Sequence, residues 1–186
     1  MGPGIYHRVS EGESIWAISQ AYDVNLHNII RANRRLKNPD RIKAGQQIYI
    51  PGAKYAKKNI PKTKLDFIWP VQGKIVRRYG KKGNKRYLGI GIKAKEGNPV
   101  KAAEAGKVVF ISNDFRSYGK IIIIEHSKEY TTVYAHNQAN LVKKDQQVKK
   151  GEKIALVGRT GWAKSPYLYF EVRYREEPRN PLFILP

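Results

Sequence analysis

The stretch Ser165-Pro166-Tyr167-Leu168-Tyr169-Phe170-Glu171 alternates side chains in the way a β-strand does. Successive strand residues point to opposite faces, so Tyr167 and Tyr169 are expected on one face, with Leu168 and Phe170 on the other. Two imidazoles at this spacing could hold a metal and move a proton together; here two phenols take the places. Outward from this strand, apolar runs at 68–71, 73–76, 88–92, 100–103, 106–111, 130–136 and 153–157 are separated by glycine turns. The unbroken Ile121-Ile122-Ile123-Ile124 predicts a central strand buried on both faces. No amphipathic helix is legible between 65 and 186. The pattern predicts an all-β domain there, an antiparallel sandwich or barrel.

Residues 6–51 read differently. Tyr6-His7-Arg8-Val9 predicts a short strand, and Ile15, Ile18, Ala21 and Tyr22 form an apolar stripe at helical spacing, with Ser14 as candidate N-cap. Asn25 is placed to cap a second helix that buries Leu26, Ile29 and Ile30 and ends near Asn33. Asn38-Pro39-Asp40 is turn chemistry, and Ile48 and Ile50 belong to a closing strand. The expected order is βααβ, so the whole chain is of α+β class: a small βααβ module plus an all-β domain. Between them, residues 52–64 carry five lysines, no acidic residue and Pro61, and read as a solvated basic linker.

Composition narrows the function. The chain has 186 residues, 36 Lys+Arg against 15 Asp+Glu, and a formal charge of +21, which predicts attraction to a polyanion. With no cysteine, disulfides, thiolate metal sites and cysteine nucleophiles are excluded. No run approaches the ~18 apolar residues of a membrane span, and Met1-Gly2-Pro3-Gly4 lacks the basic and apolar regions of a signal peptide. His7 and His27 have no partner at metal-ligand spacing and read as surface or packing residues, and His126, just after a buried strand, reads as a hydrogen-bonded structural histidine. Gly158-Arg159-Thr160-Gly161 lacks the Lys-Ser/Thr and helix of a phosphate loop.

Two resemblances add to this reading. Tyr6-x-Arg8-Val9-x-x-Gly12-Glu13-Ser14-Ile15-Trp16-x-Ile18, with Asn25, Ile29 and Asn33, and Ile42-x-x-Gly45-Gln46-x-Ile48-x-Ile50-Pro51, resembles a LysM module over the whole of 6–51. This implies binding of N-acetylglucosamine-containing glycan such as peptidoglycan, in a groove between two loops: Gly12, Glu13, Ser14 and Ile15 on one side, Asp40, Arg41, Ile42 and Lys43 on the other. Backbone amides there can bond acetamido groups while apolar side chains pack the sugar face.

The segment 65–186 is similar to LytM/lysostaphin-type zinc endopeptidases. Its Trp69-Pro70-Val71-x-Gly73, Gly89-Ile90-x-Ile92, Gly97-x-Pro99-Val100-x-Ala102-Ala103, Tyr130 to His136, Val148 to Gly161 and Leu168-x-Phe170-Glu171 carry the likeness. In that family zinc is held by a His, an Asp four residues later and the second His of a His-x-His-Phe-Glu strand. This chain has Tyr87, Gly91 and Tyr169 at those positions, and Tyr167 at a catalytic histidine; His136 alone is retained. A catalytic zinc generally needs three ligands from His, Asp, Glu or Cys, so no catalytic residue, metal or cofactor is expected. The combination resembles non-catalytic LytM factors, which implies a peptidoglycan-binding regulator, most simply an activator, of a cell-wall amidase. Its expected partner groove is Tyr87, Gly91, His136, Tyr167 and Tyr169, with Arg159 and Trp162 nearby. The implied location is extracytoplasmic, in the cell envelope, with a signal or anchor segment expected outside these residues. Rival readings are a purely wall-anchoring structural protein and an endopeptidase with a rebuilt site; a nucleic-acid binder rests on charge alone, and no specific nucleic-acid partner is expected.

Overall fold

The computed structural model describes residues 3–11, 13, 15–36, 42–55, 67–83, 85–126 and 129–186. The described residues form two compact units, one reaching Tyr55 and one spanning Phe67–Pro181, with the last few residues divided between them. Most of the basic linker, residues 56–64, lies outside the described residues, as does Ser14.

The first unit runs β1 (Ile5–Arg8), α1 (Ile15–Tyr22), α2 (Leu26–Ala32), β2 (Gln47–Ile50), the order expected from the sequence. Strands β1 and β2 are antiparallel, with Ile5 opposite Ile50 and Arg8 opposite Gln47. One face of each helix meets this ribbon: Ile15, Ile18 and Ala21 of α1, Ile29 of α2 and Ile48 and Ile50 of β2 are fully buried together. Asn25 caps α2 by accepting from the His27 amide at 2.9 Å. Asn33 closes the same helix and ties it to the ribbon. Its amide donates to the carbonyls of Ile29 and Tyr49, both at 2.7 Å, and its carbonyl accepts from the Tyr49 amide at 2.8 Å.

The second unit is built from β3 (Lys74–Arg77), β4 (Gly80–Lys82), β5 (Lys85–Tyr87), β6 (Ile90–Lys93), β7 (Pro99–Lys101), β8 (Gly106–Phe115), β9 (Gly119–Glu125), β10 (Tyr130–Asn140), β11 (Gln147–Val148), β12 (Lys153–Val157), β13 (Leu168–Tyr174) and β14 (Glu177–Arg179). Every pairing is antiparallel. The main sheet has the order β11-β8-β9-β10-β13-β6-β3, with β12 joining β10 to β7 and β14 flanking β13. Its centre is buried on both faces. Ile122, Ile124, Tyr134, Phe170 and Val172 pack on one side, and Ile121, Val133, Ala135 and Tyr169 on the other. The isoleucine run is therefore the two-sided strand its sequence predicts.

Two features were not legible. The β4–β5 hairpin is a separate two-stranded sheet; its Gly-Lys-Lys and Lys-Arg-Tyr strands show no alternation of apolar and polar residues. Strand β10 continues four residues beyond His136 by changing partner. Tyr130 to Ala135 pair with β13, whereas Asn137 to Asn140 pair with β12, and the register with β9 shifts between Ala135 and Asn137. His136 sits at that bulge with φ +64°. Bulges of this kind re-aim a side chain.

Candidate functional site: a groove over the central strands

Register lines up one row of residues across five strands. Arg77 of β3 faces Gly91 of β6, Gly91 faces Tyr169 of β13, Tyr169 faces Ala135 of β10, and Ala135 faces Ile121 of β9. Lateral neighbours in a sheet share a face. The small residues Gly91 and Ala135 therefore leave a trough, into which longer neighbours lean. Tyr167 stands just before β13, so it is placed by the turn at its start, while Tyr169 is placed by the ladder. The two phenols nevertheless belong to one buried cluster with Ile121, Val133 and Ala135.

Each phenol is committed to a protein acceptor. The Tyr167 hydroxyl and His136 Nε2 are 2.8 Å apart. His136 Nδ1 lies 2.9 Å from the Thr160 carbonyl, which can only accept, so Nδ1 carries the proton and Nε2 accepts from Tyr167. Burial, and then the nearby Arg77 charge, hold this imidazole below its ordinary pKa, against the opposing pull of the Thr160 carbonyl. The Tyr169 hydroxyl donates at 2.5 Å to Glu171 Oε2, and Glu171 Oε1 accepts from Arg173 Nε at 2.6 Å. Glu171 is fully buried. Desolvation, followed by the Glu171 charge, drives the Tyr169 phenol well above its ordinary pKa.

The other positions at which the resemblance expects ligands are filled as well. The Arg77 guanidinium lies 5.0 Å from the Tyr87 ring centre and 5.2 Å from that of Tyr167, within cation–π range of both. A Cβ at Gly91 would meet Arg77 Cβ at 3.0 Å and the Tyr167 ring at 3.1 Å. An aspartate there would have to displace both. Zinc needs three deprotonated or neutral donors converging on one point. This site offers two protonated phenols already donating to other groups, a glycine and a cation. The residues present do not fit the metal.

What the arrangement leaves is a cleft of about 780 Å³, lined by Tyr87, Tyr118, His136, Trp162, Tyr167 and Tyr169 together with Val76, Arg77, Arg86, Leu88, Lys164 and two serines. Five of the seven expected groove residues line it. Gly91 floors the trough beneath Tyr167, and Arg159 does not belong; its guanidinium lies 3.9 Å from Glu96. Sequence reasoning missed Arg77, Arg86, Tyr118 and Lys164. Tyr118 is delivered by the turn between β8 and β9, held against the next loop by the Trp162 amide donating to the Ser117 carbonyl at 2.9 Å, and it packs on Tyr169 at 5.3 Å. No local pattern signals a contact of that range.

Residues 85–181 match the model of Peptidase family M23, and residues 7–51 match that of the LysM domain. The chain belongs to the M23 family. Its M23 domain resembles a zinc-containing peptidase from Vibrio cholerae with TM-score 0.60 and 33% identity, over 63% of this chain and 39% of that one. Over 98% of its length the chain is 35% identical to the uncharacterized lipoprotein YgeR of Escherichia coli K12, covering 82% of that protein. It is 43% identical to the murein hydrolase activator NlpD of the same organism, over 63% of this chain but only 31% of NlpD. The M23 fold is thus shared with metal-holding members, and this one carries Tyr87, Gly91 and Tyr169 where the zinc ligands are expected.

In the LysM unit, Gly12, Ser14, Asp40 and Arg41 lie outside the described residues. Ile15 is 1% exposed and belongs to the core, so only its backbone is free to meet a sugar. The Glu13 carboxylate is engaged by His7 Nε2 and the Ser10 amide, both at 2.7 Å, and serves to fasten the loop to β1. Ile42 packs partly on the core, and Lys43 is exposed.

Proposed function

We propose that this chain is a non-hydrolytic, peptidoglycan-targeted regulator that activates a cell-wall amidase by docking it in the groove of the M23 domain. The observation that carries the reading is the guanidinium of Arg77 between Tyr87 and Tyr167, above a glycine. A cation and two aromatic faces stand where a metal-dependent hydrolase needs anionic or imidazole ligands. What remains is a recognition surface of the kind that anchors protein partners, rich in Tyr, Trp and Arg. Trp162, 81% exposed at its rim, is suited to be the first contact. The LysM unit supplies wall targeting, with the loops holding Gly12 to Ile15 and Asp40 to Lys43 as the glycan-binding edge. Two relatives bear names that fit this role, the murein hydrolase activator NlpD and the Caulobacter vibrioides cell division protein DipM. The name of YgeR supports a location in the cell envelope.

Dye-labelled sacculi incubated with an amidase from the same organism test the proposal. The chain alone is expected to release no dye and to raise release by the amidase. A chain carrying Arg77→Ala with Trp162→Ala is expected to keep binding sacculi while losing most stimulation. Dye release by the chain alone, or full stimulation by the double variant, would overturn it.

A further inference from the structure

Residues 74–87 contain seven Lys or Arg and no acidic residue. Half of this segment is the β4–β5 hairpin, which among the described residues pairs only with itself: Gly80 with Tyr87, Lys81 with Arg86, Lys82 with Lys85. Like charges directly opposite one another destabilise a ladder, and an isolated two-stranded ribbon has little stability to spare. The hairpin is therefore composed against its own stability. It also ends at the groove, since Arg86 and Tyr87 line the cleft.

The rest of the cleft repeats the bias. Arg77 and Lys164 add positive charge, and among the described residues no acidic side chain lines it. Among the described residues, carboxylate partners are present for Lys107, Arg175 and Arg179 but for none of Lys81, Arg86 and Lys164. Alongside these cations stand exposed apolar groups, with Val76 at 52% and Trp162 at 81% exposure. A bare polyanion would satisfy the cations and leave the apolar groups wet. A peptide segment bearing both carboxylates and apolar anchors satisfies both, and the arginine forks suit bidentate carboxylate contacts.

We propose that the β4–β5 hairpin is a cationic clamp at the mouth of the groove, and that the occupant is an acidic, partly apolar segment of the partner enzyme. This rests on the reading of the groove as a docking site. The clamp steers and orients the segment through Lys81 and Arg86, while the aromatic floor holds its apolar side chains. Rim charges of this kind govern association rate and salt dependence more than saturated behaviour.

The test is amidase stimulation on labelled sacculi, titrated with full-length chain at low salt and at ~0.5 M NaCl, where screening is nearly complete. Wild-type chain is compared with Lys81→Glu/Arg86→Glu and with the neutral Lys81→Gln/Arg86→Gln. Both positions are exposed, and unchanged thermal unfolding checks that the variants fold. At low salt the charge-reversed chain is expected to need roughly tenfold more protein for half-maximal stimulation. The neutral variant should fall between, maximal stimulation should be unchanged, and all three curves should converge at high salt. Soluble poly-L-glutamate is expected to compete with the wild type and poorly with the reversed chain. Wild-type stimulation with no difference between variants at low salt overturns the clamp while leaving the groove reading intact. Reversed chain that stimulates normally but loses binding to sacculi assigns the hairpin to an anionic wall polymer instead and overturns the proposal. Wild-type chain that stimulates no amidase overturns the groove reading and the clamp with it.

Discussion

The Tyr167 hydroxyl donates to Nε2 of His136 across 2.8 Å, and the rings meet edge-on with centres 4.8 Å apart. This bond joins the turn before β13 to the bulge of β10. It engages the phenol proton and the Nε2 lone pair together.

Because His136 has φ +64°, its substitutions should separate backbone from side chain. Asparagine tolerates the left-handed region far better than alanine. His136→Asn is expected to cost about 1–3 kcal/mol, from a buried Tyr167 hydroxyl without its acceptor. His136→Ala should cost about 1 kcal/mol more through backbone strain. Urea unfolding of the two variants measures the difference, and equal midpoints would mean that the bulge is relaxed.

Acid should weaken the fold in a defined window. Burial is the main cause holding both His126 and His136 below the usual imidazole value of 6.5. The unfolded chain binds these protons near 6.5 and the folded chain only at lower pH. The stability from the two neutral histidines is therefore complete above 6.5 and is lost as pH falls through their folded values. His126 donates from Nδ1 to the Ala105 carbonyl at 2.8 Å, and its Nε2 lies 2.7 Å from the oxygen of the Thr132 hydroxyl, which itself donates to Tyr134 at 3.0 Å. Unfolding midpoints measured from roughly pH 7 to 5 should decline, and His136→Asn should decline less steeply.

Glu171 is a fully buried carboxylate held by the Tyr169 hydroxyl and Arg173. Glu171→Gln replaces one acceptor oxygen by a donor facing a donor. Removal of one partner from such a set costs about 3–5 kcal/mol. Chemical denaturation should show a loss of that size, and Glu171→Ala a similar one. A loss below 1 kcal/mol would mean that the pair relaxes outward.

Arg77 holds two aromatic faces at once. Arg77→Lys keeps the charge but loses the planar stack, so the substitution is not conservative. About 1 kcal/mol of stability should go with it, together with much of the amidase stimulation. Full stimulation by Arg77→Lys would show that charge alone matters at this position.

In the LysM unit, Asn33→Asp turns a donor aimed at two carbonyls into an acceptor. The unit is small, and the expected loss of about 2–4 kcal/mol should leave it largely unfolded. Sacculus binding is expected to disappear while the M23 domain keeps its own melting transition by calorimetry.

The α+β class, the βααβ order, the cap Asn25, the end of α2 near Asn33 and the two-sided isoleucine strand were all legible in the sequence, because each follows from local periodicity or local hydrogen bonding. The expectation that Tyr87, Gly91 and Tyr169 stand at metal-ligand positions came from the resemblance to LytM-type peptidases rather than from periodicity; spacing alone supplied only the same-face pair Tyr167 and Tyr169. That pair survives in altered form: Tyr169 lies in the strand and Tyr167 in the turn before it. Only tertiary structure could decide what occupies the vacated space. Arg77 reaches Gly91 through a bulged register between β3 and β6, Tyr118 arrives from a distant turn, and Arg159 swings away to Glu96. Those placements depend on strand pairing between segments far apart in sequence, which local residue patterns do not encode. The spacing of the tyrosines marked where the resemblance expects zinc ligands; the ladder decided that a guanidinium and a basic hairpin stand beside them.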